Sequence, residues 1–146
     1  MSGQTVFVPG VPQQKGNIIK GSWGGYHDAN KKLWPWMQQI IATIHEAQWS
    51  PILHGPVTVE VDFAFPRPKA HYGSGRNANV LKAAAPFWHT KAPDLDKLLR
   101  SILDALKDAG VVTDDGQVCR VLTTKRYTTA GETPGALICM AVEETP

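Results

Sequence analysis

Four aspartates stand in two tight pairs, Asp94 with Asp96 and Asp114 with Asp115, at either end of the segment "LDKLLRSILDALKDAG", and Arg100 follows Asp96 by four residues. Carboxylates set this close repel each other unless something positive lies between them. Their oxygens are hard donors and no Cys/His cluster stands near them, a combination that selects Mg²⁺ or Mn²⁺ over zinc. Carboxylates holding such ions can orient a water and neutralise charge developing on a phosphodiester during in-line attack, so the chemistry indicated is phosphate-ester hydrolysis. Arg100 falls on the same helical face as Asp96, where it either pairs with that carboxylate or holds the scissile phosphate.

Each pair also has a purely local use. Pro93 keeps Ala92 out of helical angles, which leaves Asp94 in extended chain and puts Asp96 at or near a helix N-cap. One cap needs one aspartate, and residues two apart in extended chain face the same way, so both could converge on a cation while Leu95 turns inward. Asp115-Gly116 is a favoured turn pair leading into a strand. A helix of about 13 residues is only ~20 Å long, and a strand returning antiparallel to it leaves Asp115 at the far end. Asp115 joins Asp94 and Asp96 if the strand entry crosses beneath the helix start, or if the sites of two subunits meet. Spacing leaves both routes open.

The elements that must position these groups are legible from periodicity. Val57, Val59, Val61, Phe63 and Phe65 alternate with Thr58, Glu60, Asp62 and Ala64, the pattern of a half-buried strand. Leu33, Met37, Ile40, Ile41, Ile44 and Ala47 recur at helical spacing, predicting a first helix from about Leu33 with Pro35 in its first turn. Leu95, Leu98, Leu99, Ile102, Leu103 and Leu106 form the stripe of a second, with Gly110 as its stop. "TVFV", "QVCRVLTTKRY" and "GALICMAVE" read as further strands, and "PGVPQQKGN" as a loop carrying Lys15. The fold class expected is α/β (α+β): a small mixed sheet of about four strands with two main helices covering one face, in a single domain over residues 1–146. An irregular, flexible basic loop is expected at about 66–93.

The 146 residues carry a formal charge of +2, and 42% are hydrophobic, ordinary for one globular domain. No apolar run approaches the ~20 residues of a membrane span, and "MSGQTVFVPG" has no secretory pattern, so a cytoplasmic location is expected. Cys119 and Cys139 lie in apolar strand-like runs and read as buried free thiols. Charge is unevenly placed: between Asp62 and Asp94 there is no acid, while Arg67, Lys69, Arg76, Lys82 and Lys91 all fall there. His71, Tyr72, Trp88 and His89 are interleaved with them, which fits either a solvated loop or a polyanion-binding surface with rings for bases and sugars. Trp23, Trp34, Trp36 and Trp49 read as core or dimer packing, and Trp88 equally as packing or as a stacking platform. The five histidines show no metal spacing. Gly21-Ser22 is the one candidate for the small-residue phosphate loop of a nucleotidyltransferase and lacks a strand-to-helix setting.

"DLDKLLRSILDAL", the connection "KDAGVVT" and "DDGQV" together resemble the RusA family of Holliday junction resolvases, metal-dependent endonucleases of bacteria, their phages and prophages. "VPGVPQQKGN" resembles the family's first strand and P-x-x-K-G turn. The resemblance implies a homodimeric, mixed α/β endodeoxyribonuclease that nicks opposed strands of a four-way DNA junction with Mg²⁺ or Mn²⁺. It places Asp94, Asp96 and Asp115 on the family's metal-binding catalytic aspartates and Asp114 on their neighbour. Arg100 takes the position of a functionally important lysine, and Lys97 stands where asparagine is common. An arginine there keeps the charge and cannot act as a base. Phosphate contacts are expected from Lys15, Arg67, Lys69, Arg76, Lys91, Lys97, Lys125 and Arg126. The alternatives are a flap or other branched-DNA nuclease on the same scaffold, and a non-catalytic DNA-binding accessory whose acids are only caps and turns.

Overall fold

Strict alternation makes Val57–Phe65 the centre of the molecule: Val57, Val59, Val61, Phe63 and Phe65 are all buried. In the computed structural model, which describes residues 3–146, the elements run β1 (Gln4–Pro9), β2 (Ile18–Lys20), β3 (Tyr26–Asp28), α1 (Leu33–Glu46), β4 (Val57–Phe65), α2 (Leu95–Asp108), β5 (Val118–Tyr127) and β6 (Gly135–Val142). The main sheet has the order β1-β6-β4-β5, with β4 and β5 parallel and the other neighbours antiparallel. It is the expected mixed four-stranded sheet with two helices. β2 and β3 form a separate small hairpin that periodicity did not reveal, because strands of three residues are shorter than the pattern that identifies them.

Both helices pack one apolar stripe against the sheet and against each other. On α1 the buried positions are Leu33, Trp36, Met37, Ile40 and Ile44, and Pro35 falls where backbone N–H groups have no helical partner anyway. On α2 they are Leu98, Ser101, Ile102, Ala105 and Leu106. Full burial of Leu98, Ile102 and Leu106 stabilises the fold by about 1.5–3 kcal/mol each. Gly110, at φ +76, ends α2 in the left-handed conformation, with Val111 N–H donating back to Leu106. His45 Nε2 lies 3.0 Å from the Ala109 carbonyl and ties α1 to that end.

Several expectations give way to the packing. Trp36 and Trp49 are core residues, whereas Trp23, in the β2–β3 turn, and Trp34, off the stripe that α1 buries, are exposed and so are not core. Both cysteines are free, yet Cys119 is exposed and Cys139 half-buried, because they face away from the helices. Residues 66–93 contain two single-turn 3₁₀ helices, Lys69–His71 and Gly75–Asn77, and a Tyr72–Leu81 bridge. Their end is fastened to the edge of β5, where Tyr127 N–H donates to the Phe87 carbonyl and His89 N–H to that of Lys125. Gly21-Ser22 lies in the β2–β3 turn with no helix following, so no phosphate loop forms. No helix among the described residues is long and apolar enough to cross a membrane.

Candidate active site

Asp94, not Asp96, is the N-cap of α2: its backbone is extended at φ −70 and ψ 141, and Asp96 already lies in the first helical turn. The Asp94 carboxylate makes no cap bond, and its nearest cation, Lys97 Nζ, is 3.9 Å away with both side chains largely exposed. Among the described residues neither Asp96 nor Arg100 has an ion-pair or side-chain hydrogen-bond partner, so the pairing available to them across one helical turn is not made. Both line a cleft with Lys15, Gly16, Asp28 and Lys97, where Lys15 N–H donates to the Lys97 carbonyl. Two carboxylates and a guanidinium are therefore presented outward at one end of α2. An accessory protein using these acids only as caps has no need of that arrangement.

The approach to this end is held by Lys125, whose ammonium donates to the Lys91 and Pro93 carbonyls, both at 2.7 Å. His89 is the histidine closest to the acids in sequence. Its ring packs between Phe65 and Tyr127 at 4.4 and 4.8 Å, and burial first, then the Lys125 charge, pushes its pKa below the usual value. It is a packing group.

The second acidic pair lies at the other end of α2. β5 runs parallel to β4 and so returns alongside α2 in the opposite sense, which puts Lys125 beside the helix start and Asp115 beside its finish. Fourteen residues of helix separate the two ends by about 21 Å. Strand entry does not cross beneath the helix start, and within one protomer Asp115 does not join Asp94 and Asp96. Asp114 is used locally: it accepts from Gly116 N–H in a capping box completed by Gln117, and Lys107 Nζ lies 3.3 Å away. The backbone bond first, then Lys107, lowers its pKa. Asp115 is half-buried and, among the described residues, has no side-chain partner.

Of the eight cations expected at phosphate, four are engaged in the fold because the chain brings oxygens around them: Arg67, Lys125, Arg126 and Lys15. Arg67 donates to the Thr128 and Pro86 carbonyls and lies over the Tyr127 ring. Lys125 holds the 91–93 segment, as above. Arg126 bonds both Asp62 and Glu132 and is 16% exposed. Lys15 is bridged to Asp104 at 2.9 Å and Lys97 loosely to Asp94. Lys69, Arg76 and Lys91 are exposed on the loop.

The donor chemistry fits a hard divalent cation, since the carboxylates of Asp94, Asp96 and Asp115 are little used by the fold. The count within one protomer falls short, because no three His, Cys, Asp or Glu side chains among the described residues meet as a metal site. The family model described as endodeoxyribonuclease RusA matches residues 9–138, a span that contains both acidic pairs and Arg100. No curated protein matches the chain.

Proposed function

The chain belongs to the RusA family of endodeoxyribonucleases, and from that membership we propose that it is a divalent-metal-dependent homodimer that resolves four-way DNA junctions by paired nicks, each active site being shared between subunits. The observation that carries this reading is the unused charge at the two ends of α2. A second copy with its α2 antiparallel, related by a two-fold axis, brings Asp115 of the partner subunit to Asp94 and Asp96, and the same axis builds the site again. Two equivalent sites match the approximate two-fold symmetry of a junction.

Asp94, Asp96 and Asp115 of the partner subunit would hold Mg²⁺ or Mn²⁺, which supplies charge neutralisation and an activated water when bound. Arg100 holds the scissile phosphate by a two-pronged contact and keeps its proton throughout, so its contribution is electrostatic. Lys125 positions Asp94 by holding the backbone that precedes it. Lys69, Arg76, Lys91 and Lys97 contact phosphates of the arms, with Lys15 at the cleft wall.

Mixing two inactive variants tests the shared site. Asp96→Asn and Asp115→Asn should each slow cleavage of a synthetic mobile four-way junction in Mg²⁺ by on the order of 10²–10³-fold. In a heterodimer of the two, one site carries both substitutions and the other neither, so the mixture should nick one strand without paired resolution. A mixture as inert as its components would overturn the shared site, and full activity of Asp96→Asn would overturn the nuclease assignment. Forked and linear duplexes cut as fast as the junction would overturn the substrate.

A further inference from the structure

Trp23 is fully exposed, at 100% of its available surface, on the tip of the β2–β3 hairpin. The tip is Gly21-Ser22-Trp23-Gly24-Gly25, closed by the Gly21 N–H donating to the Gly25 carbonyl. Gly24 sits at φ +97, and a Cβ added at Gly24 or Gly25 would meet nothing within 4 Å. No described residue packs against the indole. Ile18, Ile19 and Tyr26 of the same hairpin are exposed as well, so the indole belongs to a group of uncovered apolar side chains, the kind of surface that marks a contact.

The base of the hairpin, by contrast, is firmly set beside the acids. Gly16 N–H donates to both Asp28 oxygens at 2.9 and 3.0 Å, and Asn30 N–H to Asp28 Oδ1 at 2.8 Å. The Lys15–Lys97 backbone bond joins this base to the first turn of α2. From there the strand and turn reach about 15 Å, or roughly four base-pair steps of DNA. Charge identifies the partner. Asp28, the sole acid between residues 1 and 45, has its carboxylate taken up by backbone N–H groups, and Lys15 is paired with Asp104, while Lys20, Lys31 and Lys32 are exposed and, among the described residues, in no ion pair. A polyanion would be drawn to these cations. Tyr26, 74% exposed, adds a second ring beside Lys20.

We propose that the β2–β3 hairpin is a DNA finger whose Trp23 stacks on a base left unstacked at the branch point, while Lys20, Lys31 and Lys32 hold the adjacent phosphates. This rests on the reading of the chain as a branched-DNA nuclease and adds how it tells a branch from continuous duplex: intact B-form stacking offers the indole no free face.

The test is binding in EDTA, separate from cleavage, of a four-way junction and a linear duplex of equal length. Trp23→Ala should weaken junction binding about tenfold or more and leave duplex binding unchanged, with Trp23→Phe intermediate. A 2-aminopurine at the branch point should change its emission on adding wild type and not on adding Trp23→Ala. Particle mass by light scattering should be the same for both proteins. Equal junction affinity of Trp23→Ala and wild type would overturn the finger. A lower mass for Trp23→Ala would also overturn it, by making the hairpin a clasp between copies. If wild type itself shows no preference for the junction, the branched-DNA reading fails, and with it the premise for the finger.

Discussion

At the start of α2 and at the finish of β5 the chain sets out the same inventory, two carboxylates and one guanidinium, and arranges it in opposite ways. Near the end of β5, Arg126 bonds Asp62 at 3.0 Å and Glu132 at 2.6 Å. The two acids raise the arginine's pKa, and the Arg126 contact first of all holds Glu132 at about 2. The guanidinium bridges the two carboxylates and pins the turn before β6 to the sheet. At the start of α2, Asp94, Asp96 and Arg100 make no such closure, although Asp96 and Arg100 are one helical turn apart. Charged residues alone therefore do not mark a site. What separates the two regions is whether the protein's own oxygens and cations have already satisfied the charge.

Asparagine and glutamine substitutions separate the two uses, since they remove charge and keep shape. The largest effect expected is at Asp96: cleavage falls on the order of 10²–10³-fold while the melting temperature stays where it was, because no side-chain partner among the described residues is lost. Kinetics and a thermal melt of the same sample check this, and a large drop in melting temperature would place Asp96 with the structural charges. Lys125→Met comes next. Removal of its two bonds to the 91–93 backbone should lower kcat about tenfold with KM little changed, together with a loss of about 1–2 kcal/mol of stability. A raised KM with unchanged kcat would return Lys125 to the phosphate-binding set.

Glu132→Gln should destabilise by about 1–2 kcal/mol at neutral pH, read by urea denaturation, with cleavage unaltered. Its pH dependence has a definite sign. The folded-state pKa, at about 2, lies below the 4.5 of a free glutamate. The contribution is therefore complete above the higher value and lost as pH falls towards the lower, so wild type and Glu132→Gln converge in acid. A gap that persists at pH 2 would mean the ion pair is not its source. The smallest effect is expected at Asp114→Asn, where asparagine caps about as well as aspartate and only the exposed Lys107 contact is lost. Activity within twofold of wild type would keep Asp114 a turn residue, and a large loss would move it into the catalytic set.

Read as a string, the chain revealed its strongest elements because each carries its own period. The alternation of Val57 to Phe65 and the leucine stripe of α2 identify a buried face without reference to any neighbour, and the D-L-D and D-D-G motifs located the acids. The β2–β3 hairpin was missed because three-residue strands leave no period to read, though Trp23 set among Gly21, Ser22, Gly24 and Gly25 was a usable sign that it lies on a turn. That Lys125 and Arg126 are already bonded within the fold was not legible, because a sequence shows a positive charge but not the oxygens folded around it.

The sequence by itself determined the chemistry on offer: oxygen donors, an obligate cation at Arg100, and a helix with acids at both ends. Only tertiary structure decided where those ends go. Parallel pairing of β4 with β5 sends Asp115 away from Asp94 and Asp96, a consequence of strand order that no local pattern encodes. The reason is physical: periodicity reports which face of one element avoids water, whereas the distance between elements follows from how all the faces are stacked.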